Sequence, residues 1–126
     1  MQRQMMKSKL HRATVTAADL DYIGSVSIDS RLMELADLLP NEQVHIWDVT
    51  NGARVVTYAI EAPAGSGEIQ INGAAAHHVA VGDLVIICSY GSYDGKELES
   101  FAPRVVHLDA ANAVTAVNAE PGVLVA

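Results

Sequence analysis

The feature that most constrains this chain is the close spacing of its short β-forming runs. Lys7 to Thr16 alternates weakly and becomes β-branched near its end. Val44 to Thr50 and Arg54 to Ile60 flank Asn51-Gly52, a dipeptide that favours hairpin turns. Glu68 to Ile71 follows the flexible turn Ala64-Gly65-Ser66-Gly67. Gly82-Asp83 leads into the unbroken apolar run Leu84 to Ser89, which reads as a buried strand. Gly91 to Gly95 reads as loop, and Arg104 to Leu108 and Ala113 to Val117 complete the strands. Helix is scarce. Asp29 or Ser30 can cap a short one, with Leu32, Leu35, Ala36 and Leu39 on a single stripe that Pro40 and Asn41 end. Ala74 to His78 spans one helical turn. Many short strands with little helix predict a mainly β fold closed into a barrel, although periodicity does not say which barrel.

At 126 residues the chain is one domain's length. Half of it is hydrophobic but only 5% is aromatic, so the predicted core is aliphatic. A formal charge of −7 argues against nucleic acid, which needs a basic footprint. The charge is uneven, because Arg3, Lys7, Lys9 and Arg12 all precede the first acid, Asp19. That cluster reads equally as a charged strand edge or as a local anion site. The one cysteine, Cys88, lies in an apolar run and reads as a small core residue. With no internal disulfide possible and no apolar segment near the start, the expected location is cytoplasmic. No apolar run approaches a membrane span. His77-His78 lacks a third ligand at useful spacing, so no metal is expected.

Gly24-Ser25 would by itself be an ordinary turn dipeptide. It sits, however, in Asp21-Tyr22-Ile23-Gly24-Ser25-Val26, after Lys9-Leu10-His11-Arg12. Ile46-Trp47-Asp48-Val49-Thr50-Asn51-Gly52, Thr57-Tyr58-Ala59-Ile60 and Asn72-Gly73-Ala74-Ala75-Ala76-His77 follow in order. Together these motifs resemble the pyruvoyl-dependent aspartate 1-decarboxylase family over nearly the whole chain.

The resemblance implies a double-psi β-barrel with short helices, made as a proenzyme. It implies self-cleavage between Gly24 and Ser25, giving a β chain of residues 1–24 and an α chain of residues 25–126. Ser25 would become a covalently bound pyruvoyl group, and no pyridoxal phosphate would be needed. A Schiff base on that group would convert L-aspartate to β-alanine and CO2, supplying pantothenate and hence coenzyme A synthesis. Thr57 and Asn72 are implied to assist processing. Lys9 and Arg54 are implied to hold the substrate carboxylates, with Thr57 also at the binding site. His11, Tyr22 and Trp47 match positions close to the pocket. A homotetramer with active sites between neighbouring subunits is implied as well. Whether maturation is spontaneous or assisted by a partner is left open.

The residues themselves support parts of this chemistry. Decarboxylating an α-amino acid needs an electron sink, and a covalent ketone is one. Glycine before the serine leaves its carbonyl open to attack and tolerates unusual backbone angles. Two cations suit a dicarboxylate. Arg54, Val56 and Tyr58 share one strand face and Thr57 the other. Tyr58 is the best candidate to protonate the carbon that loses CO2, because phenols stay protonated at neutral pH. Gly73, Ala74 and Ala75 are small enough to let a ligand reach backbone N–H groups. Two other readings fit the residues: a non-enzymatic β-barrel binding module, and a self-cleaving enzyme for another acidic amino acid such as glutamate.

Overall fold

Aliphatic side chains recurring every second residue let a curled sheet close over its own interior, and the computed structural model, which describes residues 1–118, has that architecture. The strands are β1 (Arg3–Thr14), β2 (Ala17–Asp19), β3 (Ser25–Asp29), β4 (Gln43–Asp48), β5 (Arg54–Ala62), β6 (Ile69–Asn72), β7 (Leu84–Tyr93), β8 (Arg104–Leu108) and β9 (Val114–Val117). They form one barrel-like sheet ordered β2-β6-β3-β5-β4-β7-β1-β8-β9. The pairings β1 with β8, β2 with β6 and β3 with β5 are parallel. Parallel neighbours need crossover connections, which alternation along the sequence does not reveal.

Residues paired across a ladder share a face. Leu10 pairs with Ile87 and Val106, Ile87 with Ile46, and Val26 with both Ala59 and Ile71. All seven are fully buried in the hydrophobic core. Full burial of each large aliphatic among them contributes about 1.5–3 kcal/mol, so this inner face dominates stability. The core is aliphatic, as the composition predicts. Cys88 is also buried, but it pairs with Lys9 and His45 on the opposite face.

Several boundaries differ from the sequence reading. β1 begins at Arg3, and β7 continues through Gly91 to Tyr93, because Arg3 to Met6 pair with that extension. Gly91 is therefore strand, not loop. β2 and β3 were not anticipated; β3 is buried at every position, which erases the alternation that would mark it. The capping-box helix α2 (Gly95–Leu98) was missed too. Helix α1 (Ser30–Leu35) is capped by Asp29, which accepts the Arg31 N–H at 2.9 Å. It ends well before Pro40. The chain reverses at Asp37 (φ 55°) to bury Leu38, and Leu39 is left 67% exposed, off the expected stripe. The hairpin at Asn51-Gly52 is present, with Gly52 at φ 81°. Its loop is longer than two residues: Asp48 N–H closes it onto Ala53 O at 2.8 Å, and the Asp48 carboxylate caps Thr50 and Asn51.

Candidate active site

Ser25 opens β3 at the end of the exposed Leu20–Gly24 loop, yet it is fully buried itself. β6 pairs Asn72 directly with Ser25. Asn72 Nδ2 donates to Ser25 Oγ at 3.0 Å and to Ser27 Oγ at 3.0 Å. Ser25 Oγ in turn donates to Ile23 O at 3.2 Å. The hydroxyl is thus held beside the backbone that precedes it, with an amide donor aimed at its oxygen.

Gly73 follows Asn72 and presses on the same backbone. Its φ is 69°, in the left-handed region that favours glycine. A Cβ there would lie 2.6 Å from Gly24 Cα and 2.9 Å from Gly24 N. No side chain fits between them. Gly73 starts a 3₁₀ turn (Gly73–His77) whose first N–H groups donate no hydrogen bond to the side chain at its cap, Asn72.

Val26 pairs with Ala59, so the register sets Ser25 level with Tyr58 and Gly24 level with Thr57 on β5. Tyr58 lies on the outer side of β5 with Arg54 and Val56, while Thr57 pairs with core-facing Val44. Arg54 pairs with Trp47 and stacks on it, the guanidinium carbon 4.9 Å from the ring centroid.

Lys9 and His11 lie elsewhere. They sit on the outer side of β1, and the strand order β3-β5-β4-β7-β1 puts four spacings between them and Ser25. At roughly 4.8 Å per strand that is a path of about 19 Å along the sheet. Trp47 on β4 is two strands from Ser25, and Tyr22 is in the loop before it, 49% exposed. The basic cluster accordingly splits. Lys7 forms ion pairs with Glu42 (2.7 Å) and Asp37 (3.9 Å). Lys9 and Arg54 have no ion pair among the described residues. His11 touches His107 edge-on, with ring centroids 5.4 Å apart. Burial, then Lys9, His107 and Arg12 push the His11 pKa down, so its ring favours the neutral form. Burial also raises the Cys88 thiol, against the hydrogen bond from Tyr90 and the cations Lys9 and Arg54.

The sequence reading missed Ser27 and Gln70. Ser27 shares the Asn72 amide with Ser25, and Gln70 Nε2 donates to Asn72 Oδ1 at 2.7 Å. Their positions two residues from Ser25 and Asn72 were the available signal. A cavity of about 600 Å³ lined by Lys7, Tyr93, Phe101 and Arg104 includes none of the expected site residues. Among the described residues no group of three potential ligands is placed to hold a metal, and no helix is long and apolar enough to cross a membrane.

The sequence model described as aspartate decarboxylase matches residues 1–115. The chain is similar to the aspartate 1-decarboxylase of Moorella thermoacetica, at 62% identity over 117 residues, covering 93% of this chain and 91% of that protein. A likeness of this extent, on a mainly β barrel-like fold with the Gly24-Ser25 and Asn72-Gly73 motifs packed together, means that the chain belongs to the aspartate decarboxylase family.

Proposed function

We propose that this protein is a self-processing aspartate 1-decarboxylase that converts L-aspartate to β-alanine and CO2. The observation that carries the proposal is Ser25 Oγ, buried between Asn72 Nδ2 and Ile23 O beside the Gly24 backbone on which Gly73 packs. The proposed processing begins with attack of Oγ on the Gly24 carbonyl. The carbon–nitrogen bond breaks and an ester replaces the peptide. β-Elimination then frees the Gly24 carboxylate and leaves dehydroalanine, and hydrolysis releases ammonia. The Asn72 N–H suits the negative charge that develops on oxygen during the first step. Thr57, level with Gly24, is the second processing residue.

Ser25 fits the group it is proposed to become, since it pairs with Asn72 and the β3–β5 register brings it level with Tyr58. Once formed, the pyruvoyl ketone supplies the electron sink for decarboxylation. The Tyr58 hydroxyl holds the proton for the carbon that loses CO2. Arg54, oriented by Trp47, binds one carboxylate, and the amides at Gly73, Ala74 and Ala75, which no side chain caps, receive a second anionic or carbonyl oxygen. Lys9, with His11, completes the pocket from a neighbouring subunit. The separation of β1 from β3 supports that arrangement and, with it, a homotetramer.

An intact mass spectrum under denaturing conditions tests the reading. The expected outcome is two fragments, residues 1–24 and 25–126, the larger lighter by one ammonia than a serine-terminated chain. Parallel assays with aspartate and glutamate then fix specificity. A single uncut chain, incubated alone and with cell extract, would overturn the proposal.

A further inference from the structure

Gln70 is an amide with no role assigned above. It stands two residues before Asn72 on β6, so both side chains leave the strand on one side. The ladders pair Gln70 with Ser27 on β3 and Ala17 on β2, and Asn72 with Ser25 and Asp19. The hydrogen bonds run with one polarity. Gln70 Nε2 donates to Asn72 Oδ1, Asn72 Nδ2 donates to Ser25 Oγ, and Ser25 Oγ donates to Ile23 O. Asn72 is fully buried. Turned over, its amide would present a carbonyl oxygen to Ser25 and leave Nδ2 facing the Gln70 amine.

We infer that Gln70 is a positioning residue for self-processing, fixing the Asn72 amide with its N–H groups toward Ser25. The inference rests on the proposed Ser25 chemistry. In the acyl shift the Oγ–carbonyl bond forms, the Gly24–Ser25 carbon–nitrogen bond breaks, and the hydroxyl proton ends on the Ser25 amine. Negative charge develops in passing on the Gly24 carbonyl oxygen as Oγ adds to its carbon, and an N–H held beside Oγ is placed to turn toward that oxygen and lower the barrier. An acceptor in place of the Gln70 amine would draw Asn72 Nδ2 away from Ser25.

The test is the cleavage rate of freshly made proenzyme, followed by intact mass from pH 5 to pH 8.5. Gln70→Glu keeps the shape but offers an acceptor once ionised. The carboxylates on the same side are Asp19, which accepts the Asp21 N–H, and Glu68, and both push the new carboxyl's pKa upward. At pH 8 Gln70→Glu is expected to cleave at least about tenfold more slowly than the parent chain. The deficit is expected to fade toward pH 5, as the carboxyl gains a proton and becomes a donor. Gln70→Lys retains a donor and should stay within about threefold at every pH. Parental cleavage by Gln70→Glu at pH 8, or an equal deficit at all pH values, would overturn the inference. Failure of the Ser25 reading looks different, because the parent chain itself would then stay whole.

Discussion

The Ser25 region and the Lys9 region are built on opposite principles. Around Ser25 the polar atoms find partners inside one chain: Gln70, Asn72, Ser27 and Ile23 form a directed network, and Gly73 packs on Gly24 with no room for a methyl group. Around Lys9 the outer face of β1 carries an ammonium with no ion pair among the described residues and an imidazole whose Nδ1 lacks a partner among them, and the buried Cys88 thiol stands opposite on β7. Exposed Val56, at 58%, lies in the same register row on β5. The contrast fits the proposed function, in which peptide rearrangement, an intramolecular reaction, is completed by one chain and substrate capture is finished by a second copy.

The contrast breaks most severely at Ser25. Ser25→Ala should fold, remain a single chain by mass, and show no aspartate turnover. Lys9→Ala should do the reverse: cleave normally, yet lose about 100-fold in kcat/KM through loss of a charge-assisted hydrogen bond. On the proposed shared-site arrangement, protein refolded from a mixture of Ser25→Ala and Lys9→Ala chains should regain activity, because a pocket pairing intact Ser25 with intact Lys9 can then form. No recovery would mean that Lys9 serves its own chain. Gly73→Ala comes next. A left-handed φ and a 2.6 Å approach to Gly24 should together cost about 1–3 kcal/mol of stability and slow cleavage, read by denaturant melts and mass.

The smallest effect lies at the hairpin that carries Trp47 and Arg54. Asp48 is buried, and among the described residues no donor reaches its Oδ2. Burial first, then the bond shared with Asp83, raises its pKa, while the Asp48 hydroxyl as donor lowers that of Asp83. A raised carboxyl pKa contributes stability below the unfolded value, and that contribution is lost as pH rises through the folded value. Asp48→Asn keeps the acceptor for Thr50 and Asn51 and supplies a donor that does not titrate. Its Tm should exceed the parent's by about 3 °C at pH 8, with the gain vanishing near pH 4.

Much of the fold was legible because its evidence is local. Alternation marks β1 and β4, the Asn51-Gly52 turn joins β4 to β5, and Asp29 caps α1. β3 was not legible, since burial at all five positions removes the period. Leu39 misled for a related reason: the helix stops to bury Leu38 instead, a choice set by packing and not by spacing. The site followed the same division. Gly24, Ser25, Asn72 and Tyr58 stand in recognisable motifs, whereas Ser27 and Gln70 are ordinary strand residues until β3 and β6 pair.

The sequence by itself determined the aliphatic core, the mainly β class, the family and the residue types of the chemistry, because each is written in composition or in short motifs. Only the tertiary structure decided which of those residues meet. Ser25 and Asn72 are 47 positions apart and become neighbours through an antiparallel pairing. Lys9, closer to Ser25 in sequence, ends four strands away. The physical reason is that strand order is set by crossovers and by burial of the whole sheet, a sum over contacts distant in the chain that no local stretch encodes.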